Sequence, residues 1–235
     1  MIALAPPHEF AWLDEHFWEV PQPFGNSVAI CRIEVPPHAT VPREAVGEGE
    51  LLRARRIRDR MEANRFLASH AVLRSMLANV LGESRRRLEF FADAHGKPRL
   101  AGNPIRFNMS RCGPSVLVGI SEAREIGVDI EQLRELPCQE ALARIHLTPR
   151  EYEAWRTRKA LLQEDTFLAL WTRKEACAKA IGIGLSMPLG CMDVGLGTRH
   201  SPDSVACRSD RRDWRLDVVS LPVPSSLFAA AALTD

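Results

Sequence analysis

The sequence predicts an α+β protein made of two similar halves, each a small and mostly antiparallel sheet packed against helices. The length of 235 residues allows one large domain or two small ones. A hydrophobic content of 46% and a charged content of 26% are ordinary for a globular protein. The order strand, helices, strands occurs twice along the chain, with a boundary near residue 124. We therefore predict an N-terminal half at 1–124, a C-terminal half at 125–235 and a ligand site in the cleft between them.

The elements of the N-terminal half follow from turn residues and apolar periodicity. Four prolines within residues 1–25 predict an irregular start. The β-branched stretch 27–35 predicts a strand, and residues 50–81 have apolar positions at helical spacing before Gly82. The remaining predicted strands are 88–93 with its continuation to Leu100, and two strands within 107–121 that are joined at Gly113 and Pro114.

The C-terminal half repeats this order. Residues 125–132 predict a strand, and helical segments follow from Gln139 to about Gly182. Thr148 and Glu151 form a capping-box pattern around Pro149, which predicts a helix start. Short strands are predicted at 191–196, 214–221 and 227–233.

Charge and cysteine usage narrow the function classes. The net charge is only +1, which argues against nucleic acid or an anionic membrane as a partner. No apolar run approaches the roughly 20 residues of a membrane span, and the N-terminus lacks the pattern of a secretory leader. None of the six cysteines pairs as C-x-x-C. We therefore expect reduced thiols in a cytoplasmic protein.

Two acidic positions share one face of the strand at 125–132. Asp129 and Glu131 lie two residues apart, and strand side chains alternate with period two. Two neighbouring carboxylates repel each other unless a cation lies between them, and oxygen ligands without histidine suggest Mg²⁺ or Mn²⁺. The alternative, which these residues alone favour, is a solvated face of an edge strand.

A third acid lies on the predicted helix that contains residues 171–179. Trp171, Glu175, Ala178 and Gly182 share one face of that helix, and Lys179 lies one turn beyond Glu175. The plain alternative is an ordinary helical ion pair between Glu175 and Lys179.

Basic groups are concentrated in the N-terminal half. Residues 53–65 hold six arginines against two acids, and arginine forks suit phosphate, although a solvated helix face is the plain alternative. Lys97 lies in a tight turn, and Ser110 and Arg111 lie at a strand end. Taken together, three acids and these basic groups describe a metal-bridged phosphate site.

Along the chain, in this order, lie the motifs RFLASHAVLR, GKP, FNMS, GVDIE and WTRKEACAK followed by GIGLSMPL. Together they resemble the motifs of the Sfp-type 4′-phosphopantetheinyl transferases, in the W/KEA branch. The resemblance runs from about Arg53 to Pro188. It implies transfer of the 4′-phosphopantetheine arm of coenzyme A (CoA) to a serine of an apo acyl or peptidyl carrier protein, with release of 3′,5′-ADP. It also implies Mg²⁺, with Mn²⁺ as an alternative, and we expect a monomer.

The resemblance assigns a role to each matching residue. Asp129, Glu131 and Glu175 match the metal-binding acids, and the expected base is Glu175 or a water held by it and the metal. Lys179 matches the lysine near the diphosphate and is a candidate proton donor to the leaving group. Lys97, Ser110 and Arg65 match positions that contact CoA, Arg53 matches a basic residue near its 3′-phosphate, and Lys174 supports the site or touches CoA.

One position departs from the family pattern. Arg111 stands where the family usually has a histidine that touches a CoA phosphate. An arginine keeps the donor role and adds a permanent charge, so we expect CoA binding with less pH dependence.

Two other functions remain open from the sequence. The first is a non-catalytic CoA- or nucleotide-binding protein of the same fold, although such a protein has little need of three acids. The second is a metal-dependent phosphodiesterase, which would use water as the nucleophile instead of a carrier serine. For the carrier, we expect an exposed apolar docking surface on the C-terminal half. The candidates are Leu133, Leu136, Pro137 and Leu147, or alternatively the stretch near Met187 and Leu189.

Overall fold

The computed structural model shows the predicted α+β architecture of two halves. It describes residues 2, 7, 10, 12–13, 17–19, 24–102, 105–183, 187–195, 203–209 and 212–235. Each half has a four-stranded antiparallel sheet, and the predicted boundary at residue 124 falls in the link between the two sheets. The separation of these halves into two domains stays a prediction.

The sheet of the N-terminal half has the strand order β1-β2-β6-β5. One face of this sheet packs against α2. Asp59 is the N-cap of this helix, and its side chain accepts a hydrogen bond from the Glu62 amide (2.8 Å). The helix ends at Gly82, whose φ of 64° is left-handed. The elements are β1 (Phe17–Glu19), β2 (Val28–Glu34), α1 (Glu48–Ala54), α2 (Arg60–Leu81), β3 (Phe90–Ala92), β4 (Pro98–Leu100), β5 (Arg106–Cys112) and β6 (Ser115–Ser121).

The sheet of the C-terminal half has the order β7-β10-β9-β8 and packs against α5. Thr148 and Glu151 form the predicted capping box at the start of α4, with Pro149 in the first turn. The elements are β7 (Ile126–Gln132), α3 (Gln139–His146), α4 (Pro149–Arg156), α5 (Ala160–Ile181), β8 (Asp203–Ser209), β9 (Arg212–Ser220) and β10 (Leu227–Thr234).

The two sheets face each other across a third apolar core, which gives four layers from α2 to α5. Ile126, Val128 and Ile130 of β7 point into this core. A Cβ on Gly119 of β6 would lie 2.7 Å from the Ile126 side chain, so a glycine is needed where the sheets approach. Because side chains alternate along β7, Asp129 and Glu131 point the other way, towards α5.

Three details differ from the sequence-based predictions. The strand predicted at 191–196 is wrong for the described residues 191–195, because side chains of α4 and α5 take the backbone hydrogen bonds of Met192 and Val194. The strand β8 was not predicted. The helical stretch 50–81 is two helices, since Asp59 caps a new one.

The structure describes only part of the N-terminal segment. The predicted irregular start at 1–25 lies mostly outside the described residues, and the short strand β1 lies within it. No described helix is both long and apolar enough to cross a bilayer.

Candidate active site

The site is built where β7 passes under α5. Gly127 makes this crossing possible, because a Cβ there would lie 2.1 Å from the Ala176 carbonyl oxygen and 2.3 Å from the Ala180 amide nitrogen. The next residues on that face of β7 are Asp129 and Glu131. The close approach therefore brings the two acids under the part of α5 that contains Glu175 and Lys179.

Asp129 is the buried centre of the site, with a side chain only 6% exposed. Its Oδ1 accepts hydrogen bonds from Ser110 Oγ (2.8 Å) and Lys179 Nζ (2.5 Å). Its Oδ2 is buried and has no hydrogen-bond partner among the described residues. Burial raises the pKa of Asp129, against the opposing effect of Lys179.

Glu175 lines a cavity beside the site. Trp171, Ala178 and Gly182, which share its helix face as predicted, line the same cavity. Burial raises the pKa of Glu175, and the negative charges of Asp129 and Glu131 raise it further. The three predicted acids are thus near enough for two of them to disfavour ionisation of the third.

Glu131 lies at the rim of the site, with a side chain 19% exposed. Arg134 Nη1 lies 2.6 Å from its Oε2, and the Cys112 thiol donates to the same oxygen at 3.7 Å. Sequence reasoning missed Arg134, although its position three residues after Glu131 was a visible signal.

The chemistry of these groups fits a hard divalent cation. Three carboxylates and no imidazole form the donor set, and Asp129 Oδ2 is a buried oxygen without a hydrogen-bond partner among the described residues. Within the described ranges, no group of three acidic, histidine or cysteine side chains is already arranged to hold a metal ion. Lys179 and Arg134 pair instead with two of the three carboxylates.

Two cavities meet at the site. The central cavity, of about 540 Å³, is lined by Glu175 and Lys179 together with Ile145, His146, Trp171, Met187 and Leu189. The N-terminal cavity, of about 840 Å³, is lined by Arg53, Phe66, His70, Arg74, Phe90 and Arg111. Gly96, Pro98 and Asn108 line both, so the two form one groove that spans the halves.

The N-terminal cavity contains a pair of guanidinium groups around one aromatic ring. The guanidinium carbon of Arg53 lies 5.4 Å from the centroid of Phe66, and that of Arg111 lies 5.2 Å from it. The His70 ring also packs on Phe66, with ring centroids 4.1 Å apart. Two guanidinium groups that flank one cavity suit a phosphate group.

Lys97 connects the two halves. Its Nζ donates to Glu125 Oε2 (2.9 Å) and to the carbonyl oxygens of Ile126 and Ala180 (both 3.1 Å). These three acceptors match the three protons of the Lys97 ammonium group, although the residue also lines the central cavity. Its role in CoA binding stays a prediction.

Lys174 and Arg65 are placed differently from the expectation. Lys174 is 0% exposed and bonds only to groups inside the chain, so the predicted contact with CoA has no surface on which to form. Its other predicted role, support of the site, remains. Arg65 lines neither cavity, and its Nη1 lies 2.6 Å from Glu62 Oε1.

Asn108 is a site residue to which sequence reasoning gave no role. Its Oδ1 accepts a hydrogen bond from the Val128 amide (3.0 Å), which joins the edge strands β5 and β7. Its spacing of two residues from Ser110 was the available signal, since both side chains face β7.

Comparison with known proteins identifies the family. A family model for the 4′-phosphopantetheinyl transferase superfamily matches residues 125–232. The 4′-phosphopantetheinyl transferase HetI of a Nostoc species is 32% identical over 188 residues, which cover 77% of this chain and 74% of that protein. The chain belongs to the 4′-phosphopantetheinyl transferases. The predicted enzyme class is therefore confirmed.

Other phosphopantetheinyl transferases match over shorter spans. Sfp of Bacillus subtilis is 29% identical over 61% of this chain and 63% of its own length. AcpT of Salmonella typhi is 34% identical over 56% of this chain and 66% of its own length. Both acid-bearing stretches, 127–131 and 171–179, lie within the part that the phosphopantetheinyl transferase family model matches.

Proposed function

We propose that this transferase moves the 4′-phosphopantetheine arm of CoA to a serine of an apo acyl or peptidyl carrier protein, with release of 3′,5′-ADP. The observation that carries the proposal is the convergence of Ser110 and Lys179 on Asp129, whose second oxygen has no partner among the described residues. This centre borders a groove that leads to the two arginines of the N-terminal cavity.

Asp129, Glu131 and Glu175 are the residues that would hold Mg²⁺, or Mn²⁺ in its place. When bound, the ion supplies positive charge that offsets the diphosphate of CoA. The raised pKa values of Asp129 and Glu175 mean that negative charge is costly here, and a cation relieves that cost.

The chain's own side chains supply the proton transfers. The serine oxygen of the carrier forms a bond to the β-phosphorus of CoA, and the bond from that phosphorus to the bridging oxygen breaks. Glu175, whose carboxylate lines the central cavity, takes the serine proton as the general base. Lys179, whose side chain is 30% exposed, donates a hydrogen bond to the departing phosphate.

The arginines of the N-terminal cavity would hold the nucleotide end of CoA. Arg53 and Arg111 present permanent charges beside Phe66, which suits the 3′-phosphate. Arg111 thereby replaces a titratable histidine with a group that stays charged throughout the physiological range.

The carrier would approach at the mouth of the central cavity. Of the apolar residues predicted for docking, Leu147, Met187 and Leu189 are buried, so they belong to the core. Leu133 and Pro137 are exposed, and Ile145, which was not predicted, is 67% exposed at the rim of the cavity. We therefore place the docking surface near Ile145.

The test is to incubate the protein with CoA, Mg²⁺ and an apo carrier, and to measure the intact mass of the carrier. A gain of one phosphopantetheine arm is expected, and Asp129→Ala or Glu175→Gln should abolish it while the circular dichroism spectrum is unchanged. Glu153→Gln, on an exposed face of α4, is the matched control. Free 3′,5′-ADP without a carrier product would indicate hydrolysis, and neither product would indicate a binding protein. Either result, or wild-type rates in the acid variants, contradicts the proposal.

A further inference from the structure

The ion pair between Glu151 and Lys174 takes no part in the proposed chemistry, yet it lies directly behind the central cavity. Lys174 Nζ lies 2.7 Å from Glu151 Oε2, and the two side chains are 0% and 1% exposed. Two charges this far from water are costly unless the remaining hydrogen-bonding capacity of both groups is satisfied. Here it is satisfied by two separate segments of backbone, each of which borders the cavity.

The first segment is the turn between α3 and α4. Glu151 Oε2 accepts a hydrogen bond from the Thr148 amide (2.8 Å), and Thr148 Oγ1 accepts one from the Glu151 amide (3.2 Å). Ile145 and His146, which precede this cap, line the central cavity. The pair therefore fixes the wall that the turn contributes.

The second segment is 187–194. Lys174 Nζ donates to the carbonyl oxygens of Leu189 (2.9 Å) and Met192 (2.5 Å), and Glu151 Oε1 accepts from the Val194 amide (2.8 Å). Met187 and Leu189 line the same cavity. Among the described residues, no strand pairs with this segment. The buried pair anchors it at Leu189, Met192 and Val194, and Arg173 adds two hydrogen bonds to the Val194 carbonyl oxygen (2.8 and 2.6 Å).

The two walls also touch each other. A Cβ on Gly190 would lie 3.1 Å from the Ile145 carbonyl oxygen, so the segment packs closely on the turn. Lys174 directly precedes Glu175 on α5, which ties both walls to the helix that contains Glu175 and Lys179. One buried pair thus connects every part of the cavity that the C-terminal half contributes.

We propose that Glu151 and Lys174 are positioning residues that hold the two apolar walls of the central cavity at a fixed distance from Glu175 and Lys179. This inference rests on the proposed function for its kinetic part: the walls orient the carrier serine and the arm that is transferred. Misplacement of a reacting group by about 1 Å can lower a rate by about 100-fold.

The first measurement does not depend on activity. Hydrogen exchange of the amides in 187–195 and 145–148, followed by mass spectrometry, is compared between the wild type and Lys174→Met. Exchange in both stretches should become at least about tenfold faster, because the variant loses the anchor, while exchange in β6 should not change. Arg156→Met, which removes an exposed pair on α4, is the matched control and should leave all of these rates unchanged.

The second measurement is kinetic. Lys174→Met should lower kcat/KM for the carrier by about 10- to 100-fold and leave KM for CoA within about twofold, because the nucleotide contacts lie in the other half. If Lys174→Met alone does not fold, the double variant Glu151→Gln/Lys174→Met, which leaves no unpaired buried charge, replaces it in both measurements.

The results distinguish failure of the positioning role from failure of the proposed function. A folded variant with wild-type exchange in 187–195, or with lower thermal stability but wild-type kcat and KM, overturns the positioning role. If the wild type transfers no arm, the proposed function fails, and the exchange experiment still decides whether the pair holds the walls.

Discussion

Gly127→Ala tests the packing on which the whole site depends. The added Cβ would lie 2.1 Å from the Ala176 carbonyl oxygen and 2.3 Å from the Ala180 amide nitrogen, both of which are backbone atoms. The first distance falls about 1.3 Å short of the 3.4 Å at which ordinary contact begins. Neither atom belongs to a flexible side chain, so β7 and α5 must move apart.

Such a movement is large on the scale of the site. The Lys179 Nζ to Asp129 Oδ1 distance is 2.5 Å, and a separation of about 1 Å would stretch it beyond a normal hydrogen bond. Overpacking of this kind typically costs about 1 to 3 kcal/mol of folding free energy. The displacement of Glu175 from Asp129 should lower the rate of arm transfer by about 100-fold.

The assay combines urea unfolding with the intact mass of the carrier after a timed reaction. Gly49→Ala is the matched control, because nothing lies within 4 Å of its added Cβ and its φ is not positive. That control should keep or slightly raise stability. Because Gly49 lines the N-terminal cavity, it is the control for stability alone. A Gly127→Ala variant with wild-type stability and wild-type transfer would refute the argument that this crossing sets the site.

Two further predictions concern the charges of Arg111 and Glu125. Arg111→Ala should raise KM for CoA by about tenfold with kcat nearly unchanged in initial-rate measurements, and failure of saturating CoA to restore the rate would assign Arg111 another role. Burial by itself would raise the pKa of Glu125, but Lys97 and Arg99 hold it below the ordinary value of 4.5. The ionised Glu125 therefore stabilises the fold above that pH, and the stabilisation is lost as the pH falls through the lowered pKa. Glu125→Gln should lower the unfolding free energy by about 1 to 3 kcal/mol at pH 7. Its urea midpoint should approach that of the wild type as the pH falls through the lowered pKa of Glu125, and a difference that does not change with pH would contradict this assignment.

Local patterns predicted the elements of the site well. The alternation of β7 placed Asp129 and Glu131 on one face, and helical spacing placed Glu175 with Trp171 and Gly182, which line one cavity in the structure. The capping box at Thr148 formed as predicted. These predictions hold because period and capping depend on residues within one or two turns of each other.

Other features could not be predicted because the partners are distant in sequence. The predicted strand at 191–196 looks like a strand by composition, yet its described part is held by side chains from α4 and α5. Lys174 and Lys97 are lysines in family motifs, and both have ammonium groups that bond within the chain. Residue type alone does not distinguish a lysine that meets a phosphate from one that meets carbonyl oxygens.

Motifs, periodicity and caps are short-range properties of a chain. The sequence alone therefore predicted the family, the α+β class and the three acids that are candidates for the site. The packing of α5 on β7 through Gly127, the union of Ser110 with Asp129 and the buried Glu151–Lys174 pair were decided by the assembled fold. The reason is physical: whether a polar group is free to bind a ligand depends on which backbone and side-chain atoms surround it once distant segments have packed together.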